Sequence, residues 1–269
     1  MKVIEGFECY SPELASQNDG FDPKSFELLY QVEDKSFWFT NRNLMIAHLL
    51  CKYSIPKDFL EIGCGSAFVI NFLYQKFPQL QFTGSEIYVE GLKYAQKRVP
   101  KEVRLIQFDA TEINFDEQFD AIGAFDVIEH IDEDLKVLAN IYKSLRPNGR
   151  VFISVPQYMF MWSQEDDAAY HKRRYTRTEL KSKLIKVGFD VELITSYMFL
   201  LFPLMLVSRI TGNGKKTAEE MTKALYPGKV LNSILSLFAY LDVLLIRLGI
   251  SLPWGGSLVV VGKKNADHI

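Results

Sequence analysis

Three acids and two histidines stand where packing has little use for them. In FLEIGCGSAF, residues 59–68, an apolar run ends around Glu61 and breaks into Gly63 and Gly65. Glycine at the first position opens backbone angles closed to other residues, and at the second it lets a ligand approach the main chain. A helix beginning just after would turn its free N–H groups to the same space. Glu86 comes 21 residues after Gly65, the place from which a carboxylate accepts hydrogen bonds from ribose hydroxyls. Asp109 closes the run LIQFDA. A carboxylate at a strand end does nothing for a core, so three of them at the ends of three successive strands point to a nucleoside ligand. A dinucleotide turn would carry a third glycine where this chain has Phe68, and Glu61 would repel a pyrophosphate. Glu61 suits a ligand with a cationic end. Taken alone, the glycine pair also fits a tight packing turn.

The histidines are His130, in VIEHI, and His171, which opens HKRRYTR; either could move a proton near neutral pH. The competing reading of His130 is a helix-start residue packed beside the ligand. Arg173, Arg174 and Tyr175 belong to a run whose arginine forks would match a carboxylate or phosphate. That run also reads as a solvated loop, and Asp166 and Asp167 just upstream could pair with its arginines. Trp38, in the cluster FWF at 37–39, reads either as a core anchor or as part of a cover that excludes water from a bound acceptor.

Alternating elements must position these groups. Apolar spacing predicts helix over most of 26–53, then strands at 59–62, 81–87, 103–108, 121–125 and 151–155, with helices at 68–77, 89–97 and 132–145 between them. A helix at 178–187, capped by Thr176 or Thr178 and closed at Gly188, leads to a strand at 189–196, and SLVVVGKK at 257–264 supplies the last. Such alternation implies a parallel α/β sheet covered on both faces. The divisions expected are a helical N-terminal cap at 1–55, a core at 56–197 and 256–269, and an apolar insertion at 198–255.

That insertion carries SYMFLLFPLMLV and VLNSILSLFAYLDVLLIRLGI. On a helix, Lys229, Ser233, Ser236, Tyr240 and Arg247 make one polar stripe, and most leucines fall elsewhere. The wide apolar face requires a cover, whether the sheet, a second copy in a homodimer, a greasy acceptor or a peripheral membrane contact. Asp242 falls on the apolar side, where pairing with an arginine is the expectation.

The 269 residues are 48% apolar and 24% charged, with a formal net charge of −2, so no basic field invites nucleic acid. Cys9, Cys51 and Cys64 are too few and wrongly spaced for a zinc site, and no metal is expected. The first twenty residues lack a signal-peptide pattern, and Asn232, Asp242 and Arg247 interrupt the one apolar run long enough to cross a membrane. A cytoplasmic protein follows from these readings.

The motifs LEIGCGSA, GSEI, QFDA, FDAIGAFDVIEHI and LRPNGRVFISVP, in this order and at this spacing, resemble those of class I S-adenosylmethionine-dependent methyltransferases over about residues 58–196 and the last strand. The resemblance implies a Rossmann-like doubly wound sheet, mostly parallel with an antiparallel last strand, and S-adenosylmethionine as cofactor. It implies that Gly63, Cys64 and Gly65 line the methionine portion with Glu61 near its amino group. Glu86 would hold the ribose with Ile87 beside it, Asp109 the adenine amino group with Ala110 adjacent, and the backbone around Phe125 the sulfonium side. The family usually has a third glycine where this chain has Ala67. The flanks DKSFWFTNRN, HKRRYTRTEL and LPWGGSLVVVGKK are similar to bacterial methyltransferases of polysaccharide and lipid biosynthesis. This narrower resemblance implies a biosynthetic setting and no chemistry; the leading expectation is a small or lipid- or glycan-linked acceptor with oxygen as the target atom, nitrogen and carbon staying open. A non-catalytic cofactor-binding scaffold and an NAD-dependent oxidoreductase are the alternatives.

Overall fold

Alternation of apolar runs with amphipathic helices builds a nine-stranded sheet. A computed structural model describes residues 1–16, 24–53, 56–113, 115–211 and 225–266. The strands are β1 (Lys2–Ile4), β2 (Phe7–Cys9), β3 (Asp58–Ile62), β4 (Gln81–Glu86), β5 (Arg104–Gln107), β6 (Phe119–Phe125), β7 (Leu145–Pro156), β8 (Phe189–Tyr197) and β9 (Ser257–Lys264), in the order β1-β2-β5-β4-β3-β6-β7-β9-β8. From β2 to β7 the neighbours run parallel. β9 is antiparallel to both β7 and β8, as expected for the last strand. Strand order reverses between β3 and β6, which makes the crevice beyond their carboxyl ends the place for a ligand.

Successive side chains of β3 point to opposite faces. Phe59 therefore joins the apolar layer containing Met45, Ile70, Phe82 and Val261, whereas Leu60 and Ile62 join the one containing Val137, Ile141, Leu180 and Leu184. Helices α2 (Phe37–Tyr53), α3 (Phe68–Lys76) and α4 (Val89–Arg98) serve the first layer, with α1 (Lys24–Val32) packed on α4; α5 (Asp134–Ser144) and, after the short α6 (Gln164–Ala168), α7 (Arg177–Val187) serve the second. Thr176 caps α7 by accepting the Glu179 N–H at 3.2 Å, and Gly188 closes it at φ 113°.

Two features of the N-terminal segment differ from the helical cap expected. Its first residues form the hairpin β1-β2, and β2 adds a strand beside β5, with Phe7 and Cys9 turned inward. Strands of three residues are too short to show a period of two. The long helix expected there is broken between α1 and α2 by Glu33 to Ser36, where Glu33 turns inward to meet Arg98 and Ser66.

In the insertion, α8 (Phe202–Thr211) precedes α9 (Lys229–Arg247); the intervening residues 212–224 lie outside the described ones. α9 packs along α2 through polar contacts. The Phe37 N–H donates to Asn232 Oδ1 and Asn41 Nδ2 to Ser236 Oγ, each at 2.9 Å. Ala239, Val243 and Ile246 bury the lower part of α9, while Val230, Ile234, Leu237 and Leu241 stay exposed. Asp242 does not pair with an arginine. It accepts the N–H groups of Phe199 at 2.6 Å and Leu200 at 3.3 Å, backbone donors that charge patterning cannot reveal.

Candidate functional site

The turn after β3 is held open by backbone conformation. Gly63 and Gly65 adopt φ of 64° and 51°, and Ala67 follows at 56°. A left-handed alanine costs roughly 1–2 kcal/mol, so the turn keeps a glycine-like path where the resemblance led us to expect a third glycine. A Cβ on Gly63 would lie 2.5 Å from Val127 Cγ2, whereas one on Gly65 would meet nothing nearer than Phe26 at 3.9 Å. The main chain at Gly65 is accessible to a ligand. The Cys64 N–H donates to Ser85 O at 2.8 Å, which ties the turn to β4, and burial pushes the Cys64 thiol up.

Glu61 ends up inside this cradle, 3% exposed, with Oε2 lacking any hydrogen-bond partner. Burial raises its carboxyl to about 8, against the opposing pull of Arg42. A cationic ligand group would relieve both conditions. Glu86 accepts the N–H groups of Gly65 at 3.0 Å and Ile87 at 2.8 Å, so the acid expected at the ribose reaches back to the glycine turn itself. Burial raises Glu86, and those N–H groups oppose the rise. Asp109 is half-buried and accepts the Thr111 N–H at 2.8 Å, while Ala110 beside it is buried. Phe125, buried at the end of β6, completes this side. Above the turn, Arg98 bonds Glu33 and Ser66 and lies over Tyr30 and Phe68, which fastens α1 across the crevice.

Across the reversal point, charged groups arrive from distant parts of the chain. Asp126, at φ 57°, pairs with Arg42 of α2, and the Arg42 guanidinium lies 4.7 Å from the Trp38 ring centre. Trp38 is thus half-buried and stacked on a cation at the crevice. The short helix Ile128–His130 follows. Glu129 is fully buried and neither carboxyl oxygen has a partner; burial, then Asp126, pushes it far above the usual range. The His130 and His171 rings meet edge to face at 4.7 Å. Burial first, then His171, lowers His130 to about 4, which keeps it neutral at physiological pH.

The cations of HKRRY do not form the open clamp expected. Arg174 is buried and forks onto Asp166, with Nε–Oδ1 at 2.7 Å and Nη2–Oδ2 at 2.9 Å. Tyr175 is fully buried and donates to Asp134 Oδ2 at 2.7 Å. Arg173 pairs with Asp132 and Asp134. A charge run reads as solvated or ligand-facing until its acids are located, and Asp132 and Asp134 lie some forty residues upstream. Sequence reasoning missed Arg42, Asp126 and Glu129 as site groups. The signal for the latter two was their place in FDVIEHI beside Phe125 and His130; Arg42 gave none.

Residues 60–153 match the family model for a methyltransferase domain. A probable S-adenosylmethionine-dependent methyltransferase of Mycolicibacterium smegmatis is 24% identical over 164 residues, which is 60% of this chain and 62% of that one. A malonyl-[acyl-carrier protein] O-methyltransferase of Priestia megaterium is 29% identical over 96 residues, 35% of each chain. These alignments span about a third to three fifths of the relatives' own lengths. Phosphoethanolamine N-methyltransferase 2 of Haemonchus contortus, solved with S-adenosyl-L-methionine, superposes with a TM-score of 0.59 at 18% identity, over 91% of this chain and 57% of that one. The Rossmann-like α/β fold is shared with that structure.

Proposed function

We propose that this chain is an S-adenosylmethionine-dependent methyltransferase acting at an oxygen of a small or lipid- or glycan-linked acceptor. One observation carries the cofactor: the buried, unpartnered Glu61 Oε2 beside an accessible glycine turn, a fit for an ammonium group. Glu86 and Asp109 would hold the ribose and adenine, with the backbone near Phe125 facing the sulfonium. When bound, the cofactor supplies a methyl group already activated on sulfur, so the chain has mainly to align the acceptor and receive a proton. Oxygen as the target is supported by the O-methyl transfer named for the Priestia megaterium relative.

The insertion supports an acceptor at a lipid surface. Leu204, Val207, Val230 and Leu237 are each more than half exposed. The charged residues of α8 and α9 are Arg209, Lys229, Asp242 and Arg247, and the one acid is buried. An apolar face with cationic ends suits peripheral adsorption to an anionic membrane from the cytoplasmic side.

Calorimetry with S-adenosylmethionine tests the cofactor assignment. Micromolar binding is expected for the wild type, at least tenfold weaker binding for Glu61→Gln, and weaker NAD binding throughout. Absent binding by the folded wild type, or tighter NAD binding, overturns it. Methyl transfer from labelled cofactor to a lipid-linked glycan fraction distinguishes an enzyme from a scaffold.

A further inference from the structure

We infer that Glu129, His130 and His171 form a binding site for one divalent transition-metal cation on the acceptor side of the crevice. One ligand atom from each residue lies within 4.8 Å of the others. Ligand atoms around a tetrahedral ion with bonds of 2.0–2.1 Å stand about 3.3 Å apart, so small side-chain rotations bring the three onto one ion.

Glu129 points most strongly to a missing cation. Its side chain is fully buried with both oxygens unpartnered, a costly state for a carboxylate unless it is neutralised. The nearby guanidinium groups are already engaged, Arg42 by Asp126 and Arg174 by Asp166. What faces Glu129 instead is imidazole, with His171 Nε2 at 3.9 Å from Oε1.

The surroundings of His171 are those of a metal ligand. Its Nδ1 stands 2.8 Å from Asp166 Oδ1, and Asp166 also accepts both bonds from Arg174. An ionised carboxylate only accepts, so Nδ1 carries a proton, and in the neutral ring the Nε2 lone pair is the atom that faces Glu129. A carboxylate behind a histidine in this way fixes its tautomer and raises its basicity towards a metal. Backbone bonds clamp the two ligand-bearing segments together: the Lys172 N–H donates to Glu129 O at 2.8 Å, and the His171 N–H to Asp166 O at 2.9 Å.

Two imidazoles and one carboxylate suit a first-row divalent ion and leave coordination positions open. If the methyl-transfer reading holds, those positions would take a hydroxyl or carboxylate oxygen of the acceptor. The cation site itself does not depend on that reading.

Co2+ is the probe, because its visible bands separate imidazole and carboxylate ligation from capture by the exposed Cys51 thiol. The chelator-treated full chain is expected to bind one equivalent, with at least tenfold weaker binding in Glu129→Gln and in His171→Ala and unchanged binding in Cys51→Ser. Absent binding at millimolar Co2+, a thiolate spectrum, or equal affinity in both site variants overturns the proposal. Should the variants fail to fold, crystals of the wild type soaked in Co2+ decide it: an anomalous peak between Glu129 and His171 is required, and its absence sinks the site. Metal binding is read without cofactor or acceptor, so its failure is distinct from failure of methyl transfer.

Discussion

The crevice and the insertion break the usual rule of burial in opposite directions. At the crevice, Glu61, Glu129, Asp166 and Arg174 lie inside the protein; on α8 and α9, Leu204, Val207, Val230 and Leu237 lie outside it. Buried charge is tolerated where a partner is supplied, and exposed apolar surface where something covers it. Asp166 has its partner within the chain. Among the described residues, Glu61 Oε2, both oxygens of Glu129 and the α9 face do not, and these are the places that call for a cofactor, a cation and a surface.

Arg174→Ala should do the most damage, because it strands a buried carboxylate. A loss of about 3–5 kcal/mol in urea unfolding is expected. Burial pushes Asp166 up, but its bonds to His171 and Arg174 outweigh that and hold it below the usual carboxylate range. Its contribution is therefore present above the unfolded pKa of about 4 and lost as pH falls through the folded value. A variant as stable as the wild type at pH 7 would show that the inside of the crevice tolerates unpaired charge.

Gly63→Val comes next. Its Cβ would meet Val127 at 2.5 Å at a φ of 64°, so the turn must move. Cofactor affinity is expected to fall at least a hundredfold, about 2.7 kcal/mol, with circular dichroism confirming the fold. Unchanged affinity would place the cofactor elsewhere.

Asp242 lies buried within the insertion. Burial raises it to about 6 against the N–H groups of Phe199 and Leu200. A raised acid binds its proton more tightly folded than unfolded, so stability should fall as pH rises from about 4 to 6.5, by roughly 2 kcal/mol. Asp242→Asn should flatten that slope in thermal melts across the same range; a slope that persists assigns the titration to another group.

Leu237→Ser should change stability by less than about 0.5 kcal/mol, since its side chain is 58% exposed. It should nonetheless weaken co-sedimentation with anionic vesicles. A destabilisation of several kcal/mol, or a monomer produced from a wild-type dimer, would instead identify a protein contact covering this face.

Most of the sheet was legible because its signals are local. Each strand from β3 to β7 ends in a turn or cap within reach of its own motif, and Glu61, Gly63, Gly65, Glu86 and Asp109 announce themselves by spacing along one stretch. The hairpin β1-β2 was illegible, since strands of three residues leave no period and gain their pairing from β5, some hundred residues on. The HKRRY run was legible in part: Asp166, eight positions before Arg174, offers itself as a partner, whereas the acids that hold Arg173 lie some forty residues away. Arg42 reads as an ordinary helical cation until α2 is laid across the end of β6.

The sequence by itself determined the alternation of strands and helices from β3 to β7, the glycine turn and the acids around it, because hydrophobic period and turn chemistry act over a few residues. Tertiary structure alone decided which charges neutralise one another, which apolar face of α9 stays uncovered, and that Glu129, His130 and His171 converge. Those outcomes depend on distances between segments far apart in the chain, and electrostatics and burial are set by such distances rather than by neighbours in sequence.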